Sequence, residues 1–178
     1  MNYSLERKEK SGLHGEMNYN FIEQNNNPRR KQAEVICKKY WQEEGFDVID
    51  VSENPSYFHR GDIIKKLGNE EEVVEVKYDA WAIQTGNIPF ELIEKAEIGG
   101  GTKLGWGYKI GIHQMNFVLF EESIAKSIIF TTREDIKEAA FSKDFKGFAS
   151  YHPRERYYTL GVLIPYQEIK NIKIIELN

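Results

Sequence analysis

The chain has 178 residues, 40% hydrophobic and 29% charged, a length and balance that suit one globular domain with a real hydrophobic core. A net charge of −4 argues against a protein that simply coats nucleic acid. It does not exclude a nuclease, whose acidic metal ligands lower the net charge while local basic groups track phosphates. No apolar run is long enough for a membrane span, the first residues lack the apolar core of a signal peptide, and the single cysteine, Cys37, fits a reducing cytoplasm.

Residues 1–27 read as a weakly ordered polar arm, with the run Gln24-Asn25-Asn26-Asn27 and no sustained periodicity. Its Arg7, Lys8 and Lys10 could touch a phosphate backbone, although a solubilising tail is the simpler account. An α/β domain is expected over residues 28–178. Asn27 as N-cap and Pro28 at the first helical position open a helix. Ala33, Ile36, Cys37, Tyr40 and Trp41 follow at helical spacing as an apolar stripe, and Gly45 stops the helix in the left-handed conformation. Within that stripe Cys37 reads as core packing rather than as a nucleophile. Glu34 lies beside the stripe and can lean toward the sheet the helix covers. The plainer account pairs it with Lys38, an interaction worth about 0.3–0.5 kcal/mol. The basic groups Arg29-Arg30-Lys31, Lys38-Lys39 and Lys65-Lys66 either track phosphates or form a solvated face.

Phe46 to Val51 is a first strand. A loop through Tyr57, Phe58, His59 and Arg60 leads to a second over Gly61 to Leu67, with Gly68-Asn69 as a tight turn into a third over Glu72 to Asp79. In the third strand Val74, Val76 and Tyr78 alternate with Glu75, Lys77 and Asp79, so Glu75 and Lys77 share one face about 7 Å apart. A two-residue turn pairs Leu67 with Glu70, and the same register sets Asp62 directly against Glu75. Like charges so placed destabilise a sheet. A divalent cation held between them is the simplest compensation, with Lys77 next along the face, near where a metal-bound water would sit. The alternative is a solvated hairpin whose charges face water.

Further on, Asn87-Ile88-Pro89-Phe90-Glu91-Leu92 alternates like a strand, and Pro89 places it at an edge or a bulge. Gly99-Gly100-Gly101-Thr102-Lys103 departs from the phosphate-loop pattern, because Thr precedes Lys instead of following it, and reads as a loop. Leu104 to Ile112 is expected as a short helix or turn, Met115 to Phe120 as a strand, and Ser127 to Thr131 as another apolar run. Thr132 caps a helix from Arg133 to Ala140, Ser142 to Arg156 reads as a surface loop, and strands over Tyr157 to Ile164 and Ile172 to Leu177 close the chain. His14, His59, His113 and His152 have no zinc-ligand spacing, and there is neither a serine-nucleophile elbow nor a Cys–His pair. The carboxylate–lysine cluster is the chemistry that remains.

Gly61-Asp62 followed by Glu75-Val76-Lys77, behind a helix bearing Glu34, resembles the PD-(D/E)XK nuclease superfamily. The resemblance covers roughly Asn27 to Phe120 and extends to small phage and mobile-element members through Thr85-Gly86-Asn87, Glu91 and Gly105-Trp106. It implies a restriction-endonuclease-like fold, a central mixed sheet flanked by helices. It further implies that Asp62 and Glu75 bind Mg2+, for which Mn2+ may substitute, with the main-chain carbonyl of Val76 as a third ligand. Lys77 would orient or deprotonate the attacking water or stabilise charge on the phosphate. Glu34 would reach the metal through water, and Asn87 and Glu91 would lie adjacent to the site. Gly61 stands where the motif's name has proline, a change expected to matter little, and Asn116 stands where the subgroup often has aspartate.

The activity implied is a cytoplasmic Mg2+-dependent endonuclease hydrolysing phosphodiester bonds of DNA with a metal-activated water. Cleavage of both strands would call for a homodimer. The rival is a catalytically inactive nuclease-like fold that binds nucleic acid or a partner protein without cutting. A third reading takes the Asp62…Glu75-x-Lys77 pattern as chance in an unrelated α/β interaction protein.

Overall fold

A computed structural model describes residues 28–52, 54, 61–96, 101–108, 111–152 and 156–177. The expected N-terminal arm, the Asn27 cap, the loop through Tyr57 to Arg60 and the Gly99-Gly100 pair lie outside these residues. In chain order the described residues form α1 (Pro28–Glu43), β1 (Asp47–Asp50), β2 (Ile63–Leu67), β3 (Glu70–Asp79), α2 (Ala82–Thr85), β4 (Asn87–Ala96) and β5 (Thr102–Leu104). There follow β6 (Gln114–Glu121), β7 (Ile124–Thr132), α3 (Arg133–Ser142), β8 (Gly147–His152), β9 (Tyr157–Pro165) and β10 (Lys173–Glu176).

Six strands make one sheet in the order β1-β2-β3-β6-β7-β10, and four make a second in the order β5-β4-β9-β8. In the larger sheet β3 and β6 run parallel while the other neighbours are antiparallel. The fold is therefore α/β with a mixed sheet, as the sequence led us to expect. Parallel neighbours cannot be joined by a hairpin. The chain leaves the sheet after β3, and the crossover to β6 contributes β4 and β5 to the second sheet.

β6 carries Met115 to Phe120, apolar but for Asn116 and buried throughout, as a strand covered on both faces should be. Val118 and Phe120 face α1, joining Ala33, Cys37 and Trp41 with Ile63, Val74, Val76, Ile128 and Phe130 in one core. Met115, Phe117 and Leu119 face the other way, into a second core with Ile88, Phe90 and Ile164 of the smaller sheet, Trp106, and Ile136 and Ala139 of α3. A helix thus covers one face of the mixed sheet. The opposite face is covered mainly by a second sheet, where helices on both sides were expected.

Two loop readings need correction for the same reason. Residues 147–152 form β8, which pairs with β9 from Gly147 opposite Val162 to His152 opposite Tyr157. Thr102–Leu104 forms β5 against β4. Gly147, Ala149 and Ser150 are weak strand formers, and their strand exists because an edge is there to pair with. Phe148 stands across from Gly161, and a Cβ on Gly161 would meet its ring at 2.6 Å. Pro89 pairs in regular register with Leu163 where β5, which meets only Ile93 to Lys95, leaves β4 an edge, and the register slips further on, between Glu91 and Ile93.

α1 ends as anticipated, with φ +90° at Gly45. Ala33, Cys37 and Trp41 are buried, whereas Ile36 and Tyr40 are only half-buried at the margin of the stripe. The Cys37 thiol is pushed up to about 12 by burial, which suits packing and not nucleophilic attack. Trp41 is the anchor. Its ring lies edge-on to Phe46 at 5.2 Å and to Phe130 at 5.3 Å, and Lys65 Nζ sits 3.8 Å from its centroid. With the Asn116 amide turned so that its oxygen faces the indole, that oxygen accepts from Trp41 Nε1 at 2.9 Å. Asn116 is therefore a buried partner of the helix. Lys65, expected on a solvated or phosphate-tracking face, is also buried under α1 and pairs with Glu72 at 3.0 Å. Among the described residues no helix is long and apolar enough to cross a membrane.

Trp41→Ala removes the anchor, opens a cavity and leaves Asn116 without its donor. Chemical denaturation should show a loss of about 3–5 kcal/mol, the range for large-to-small aromatic core changes. A loss under about 1 kcal/mol, the size of an ordinary surface change, would mean that α1 does not carry the core.

Candidate functional site

The hairpin of β2 and β3 holds the expected register over five rungs, from Leu67–Glu70 to Ile63–Val74. The sixth rung, Asp62 opposite Glu75, does not form. Instead the Asp62 N–H donates to Val74 O at 2.9 Å, although Val74 is already opposite Ile63, and the Asp62 carbonyl accepts from Val51 N at 2.9 Å. The side chain then turns along the strand end, and Asp62 Oδ2 accepts from the backbone N–H of Val76 at 2.8 Å. A carboxylate takes the place that a carbonyl of β2 would occupy one step further along the ladder.

Gly61 makes this turn possible. Its φ is +126°, and a Cβ there would stand 2.7 Å from Val73 Cγ1 and 2.9 Å from Val74 O. Proline, locked near φ −65°, is excluded on both counts. The glycine that looked inconsequential in the sequence is the residue that lets Asp62 reach Val76.

Strand alternation sends Val74 and Val76 toward α1, and Glu75 and Lys77 to the opposite face. Backbone amides of a strand point within the sheet. The Asp62 carboxylate, bonded to one of them, lies near the sheet plane and can be approached from either face. From α1, Arg30 Nη2 donates to Asp62 Oδ1 at 3.2 Å while Arg30 Nε donates to Glu34 Oε1 at 2.9 Å. The ion pair of Glu34 is with Arg30 and not with Lys38. From the other side, Lys77 Nζ pairs with Glu75 Oε1 at 2.7 Å. The structure brings together Glu34, Asp62, Glu75 and Lys77.

Glu91, at the bulge of β4, acts on the Lys77 charge as well. This is the kind of re-aiming that bulges provide. Asn87 is placed otherwise. Its N–H donates to Thr85 Oγ1 at 3.2 Å and its Nδ2 to Thr85 O at 2.7 Å, so it closes the turn after α2. Of the histidines, His113 has a structural part: its Nδ1 accepts from Val73 N–H at 3.0 Å and continues the β3–β6 ladder.

Burial dominates the electrostatics. Asp62, Glu75 and Glu34 are 6%, 3% and 9% exposed. Burial, and then the Glu75 charge, push Asp62 up to about 7 against the pull of Lys77, the Val76 amide and Arg30. Glu34 is raised too, by burial set against the neighbouring Arg30. Burial works against the Lys77 ammonium, but Glu75, Glu91 and Asp62 outweigh it and hold its pKa above the ordinary value. Three of the carboxylates gathered here, those of Glu34, Asp62 and Glu75, are buried, and positive charge close by is what offsets such burial.

Among the described residues no group of three or more His, Cys, Asp or Glu side chains is disposed to hold a metal ion. Those residues hold no zinc-like cage built wholly of side chains. This is compatible with Mg2+, which is commonly held by one or two carboxylates and keeps several waters. Asp62 and Glu75 fit that requirement. Arg30 is the participant the sequence reading passed over. The signal was its spacing of four from Glu34 on one helix face.

No protein-family model matches the chain, and no curated protein matches it. The site must be read from its own chemistry.

Asp62 carries a sign that can be measured. Its folded-state pKa is raised from the ordinary 3.8 to about 7. Its contribution to stability is therefore fully present below about pH 4 and is lost as pH rises toward 7, because the unfolded chain ionises first. Asp62→Asn cannot titrate. In metal-free buffer the melting temperature of this variant relative to wild type should climb between about pH 4 and 7 and level off above. A difference that is flat with pH would show that Asp62 is not held out of water as described.

Proposed function

We propose that the chain is a restriction-endonuclease-like nuclease of the PD-(D/E)XK type, a Mg2+-dependent endonuclease that hydrolyses DNA phosphodiesters. The observation that carries this reading is that Asp62, held by the Val76 amide, is buried within reach of the charges of Glu75 and Lys77, which pair with each other at 2.7 Å. A binding surface has no need to bury Asp62 beside Glu75 at the cost their repulsion implies. The order helix, strand, strand, strand also agrees with the common core that the resemblance implies.

Asp62, Glu75 and the main-chain carbonyl of Val76 would hold the ion, Mg2+ or Mn2+. When bound, such an ion neutralises charge on phosphate oxygens and lowers the pKa of water. The chain's own residues account for the rest. Lys77, held protonated by Glu75 and Glu91, places a positive charge where negative charge develops as the water oxygen bonds to phosphorus and the leaving oxygen departs. Glu34 supplies a further acceptor at the edge of the site. Such a site cuts one strand at a time, and cleavage of a duplex through both strands would use two copies of the chain.

The second reading is a nuclease-like fold that binds nucleic acid or a partner protein without cutting. One observation favours it: Arg30 and Lys77 already pair with Asp62, Glu34 and Glu75, so the carboxylates are partly neutralised from within.

Supercoiled DNA decides between the two. With Mg2+ or Mn2+ the protein should nick or linearise it, and chelation should stop the reaction. Asp62→Ala should remove metal binding and cleavage together. Lys77→Ala should retain metal binding and slow cleavage at least about 100-fold, the size expected for one positioned charge-stabilising group. Binding without cleavage across both metals and across duplex, branched and single-stranded DNA would establish the non-cutting module instead.

A further inference from the structure

We propose that Arg30 is a resident counter-ion that occupies the cation position on Asp62 and must withdraw when a divalent metal ion binds. The inference rests on the nuclease reading, since that reading is what brings a metal to Asp62.

The two oxygens of Asp62 have different commitments. Oδ2 accepts from the Val76 N–H at 2.8 Å, a bond that ties the end of β2 to β3 and keeps the carboxylate in place. The oxygen without a backbone bond is Oδ1, and Arg30 Nη2 lies on it at 3.2 Å. The same guanidinium reaches Glu34 Oε1 through Nε at 2.9 Å. One planar fork thus spans the carboxylate of α1 and the carboxylate at the end of β2, the two that a metal and its bound water would otherwise join. A guanidinium and a divalent ion on the same carboxylate oxygen would stand within a few ångströms in a buried setting, where like charges repel strongly. One of them leaves.

Arg30 is the group able to leave. It lies in the first turn of α1, at the third residue of the helix, and its side chain is 32% exposed against 8% for Asp62. Its guanidinium therefore has a short route to water that does not disturb the core, while Asp62 is fastened on both its backbone and its side chain. A long side chain anchored at a helix start can swing away from Asp62 toward water, and the arriving divalent ion replaces the positive charge that the buried carboxylate would otherwise lose. Metal-free protein is then spared part of the repulsion among Asp62, Glu75 and Glu34, and the metal is admitted against a competitor. Arg30 sets the threshold concentration for metal binding.

The Arg30 Nη2 proton resonance of the 15N-labelled chain, recorded at low temperature, reads the contact with Asp62 Oδ1 directly. In metal-free protein it should be protected from exchange. Saturation with Mg2+ should shift it and speed its exchange. Calorimetric titration with Mg2+ should show Arg30→Gln binding at least about tenfold more tightly than wild type, within the range of ordinary coupling between two competing ligands. Arg30→Lys keeps a charge but cannot bridge two carboxylates, and should fall between the two. If the variants fold poorly, the wild-type resonance alone answers the question. A protected Arg30 signal that stays unmoved while Mg2+ fills the site, or equal affinities for wild type and Arg30→Gln, overturns the exchange and leaves the nuclease reading standing. Failure of both wild type and Arg30→Gln to bind Mg2+ or Mn2+ overturns both.

Discussion

The bond from the Val76 N–H to Asp62 Oδ2 is the constraint from which the site follows. A backbone donor inside a sheet must be satisfied, and at the end of β2 no carbonyl is there to do it. Asp62 fills the gap with its side chain, and in doing so it is fixed near the sheet plane. Position there makes it accessible to Arg30 and Glu34 on the α1 side and to Glu75 and Lys77 on the other. Had Asp62 formed a plain rung opposite Glu75, its carboxylate would have pointed to one face and Glu34 would have been out of reach.

Two cores hold this arrangement rigid. The α1 core fixes the helix, and with it Arg30 and Glu34, through Ala33, Cys37 and Trp41. The core between the sheets fixes β6 and β4, and with them the strand parallel to β3 and the bulge that carries Glu91. Asn116 links the first core to the helix through the Trp41 indole. A buried amide suits that position because the indole N–H needs an acceptor once it is buried. An aspartate in its place would add an unpaired charge to an interior whose other buried charges, Glu34, Asp62, Lys65 and Glu75, are in ion pairs.

The electrostatic character of the site follows from burial more than from composition. Three carboxylates are taken almost wholly out of water, and their neighbours compensate only in part. Such a site holds electrostatic tension and responds to pH. Arg30 and Lys77 relieve the tension from opposite faces, one by bridging and one by pairing with its strand neighbour. This division of labour leaves Lys77 as a fixed positive charge beside Asp62 whatever Arg30 does.

Much of this was written in local patterns. The helical spacing of Ala33, Cys37 and Trp41, the Gly68-Asn69 turn with its register, the two-residue alternation of Val74 to Lys77 and the apolar run of β6 are short-range signals, and each produced the element it implied. Thr132 likewise caps α3, its side chain accepting from the Asp135 N–H. The grouping of Asp62 with Glu75 and Lys77 was read from a register that set Asp62 opposite Glu75; that rung does not form, and Asp62 is brought near them through the Val76 amide instead. Tertiary structure decided the remainder, because it depends on partners far away in the chain. β8 is a strand only because β9 presents an edge. Lys65 is buried because α1 lays Trp41 over it. Gly61 matters because Val73 and Val74 leave no space for a Cβ. Arg30 belongs to the site because the helix packs so that its first turn meets the end of β2. Spacing along the chain states which faces residues share. Only packing states which faces meet.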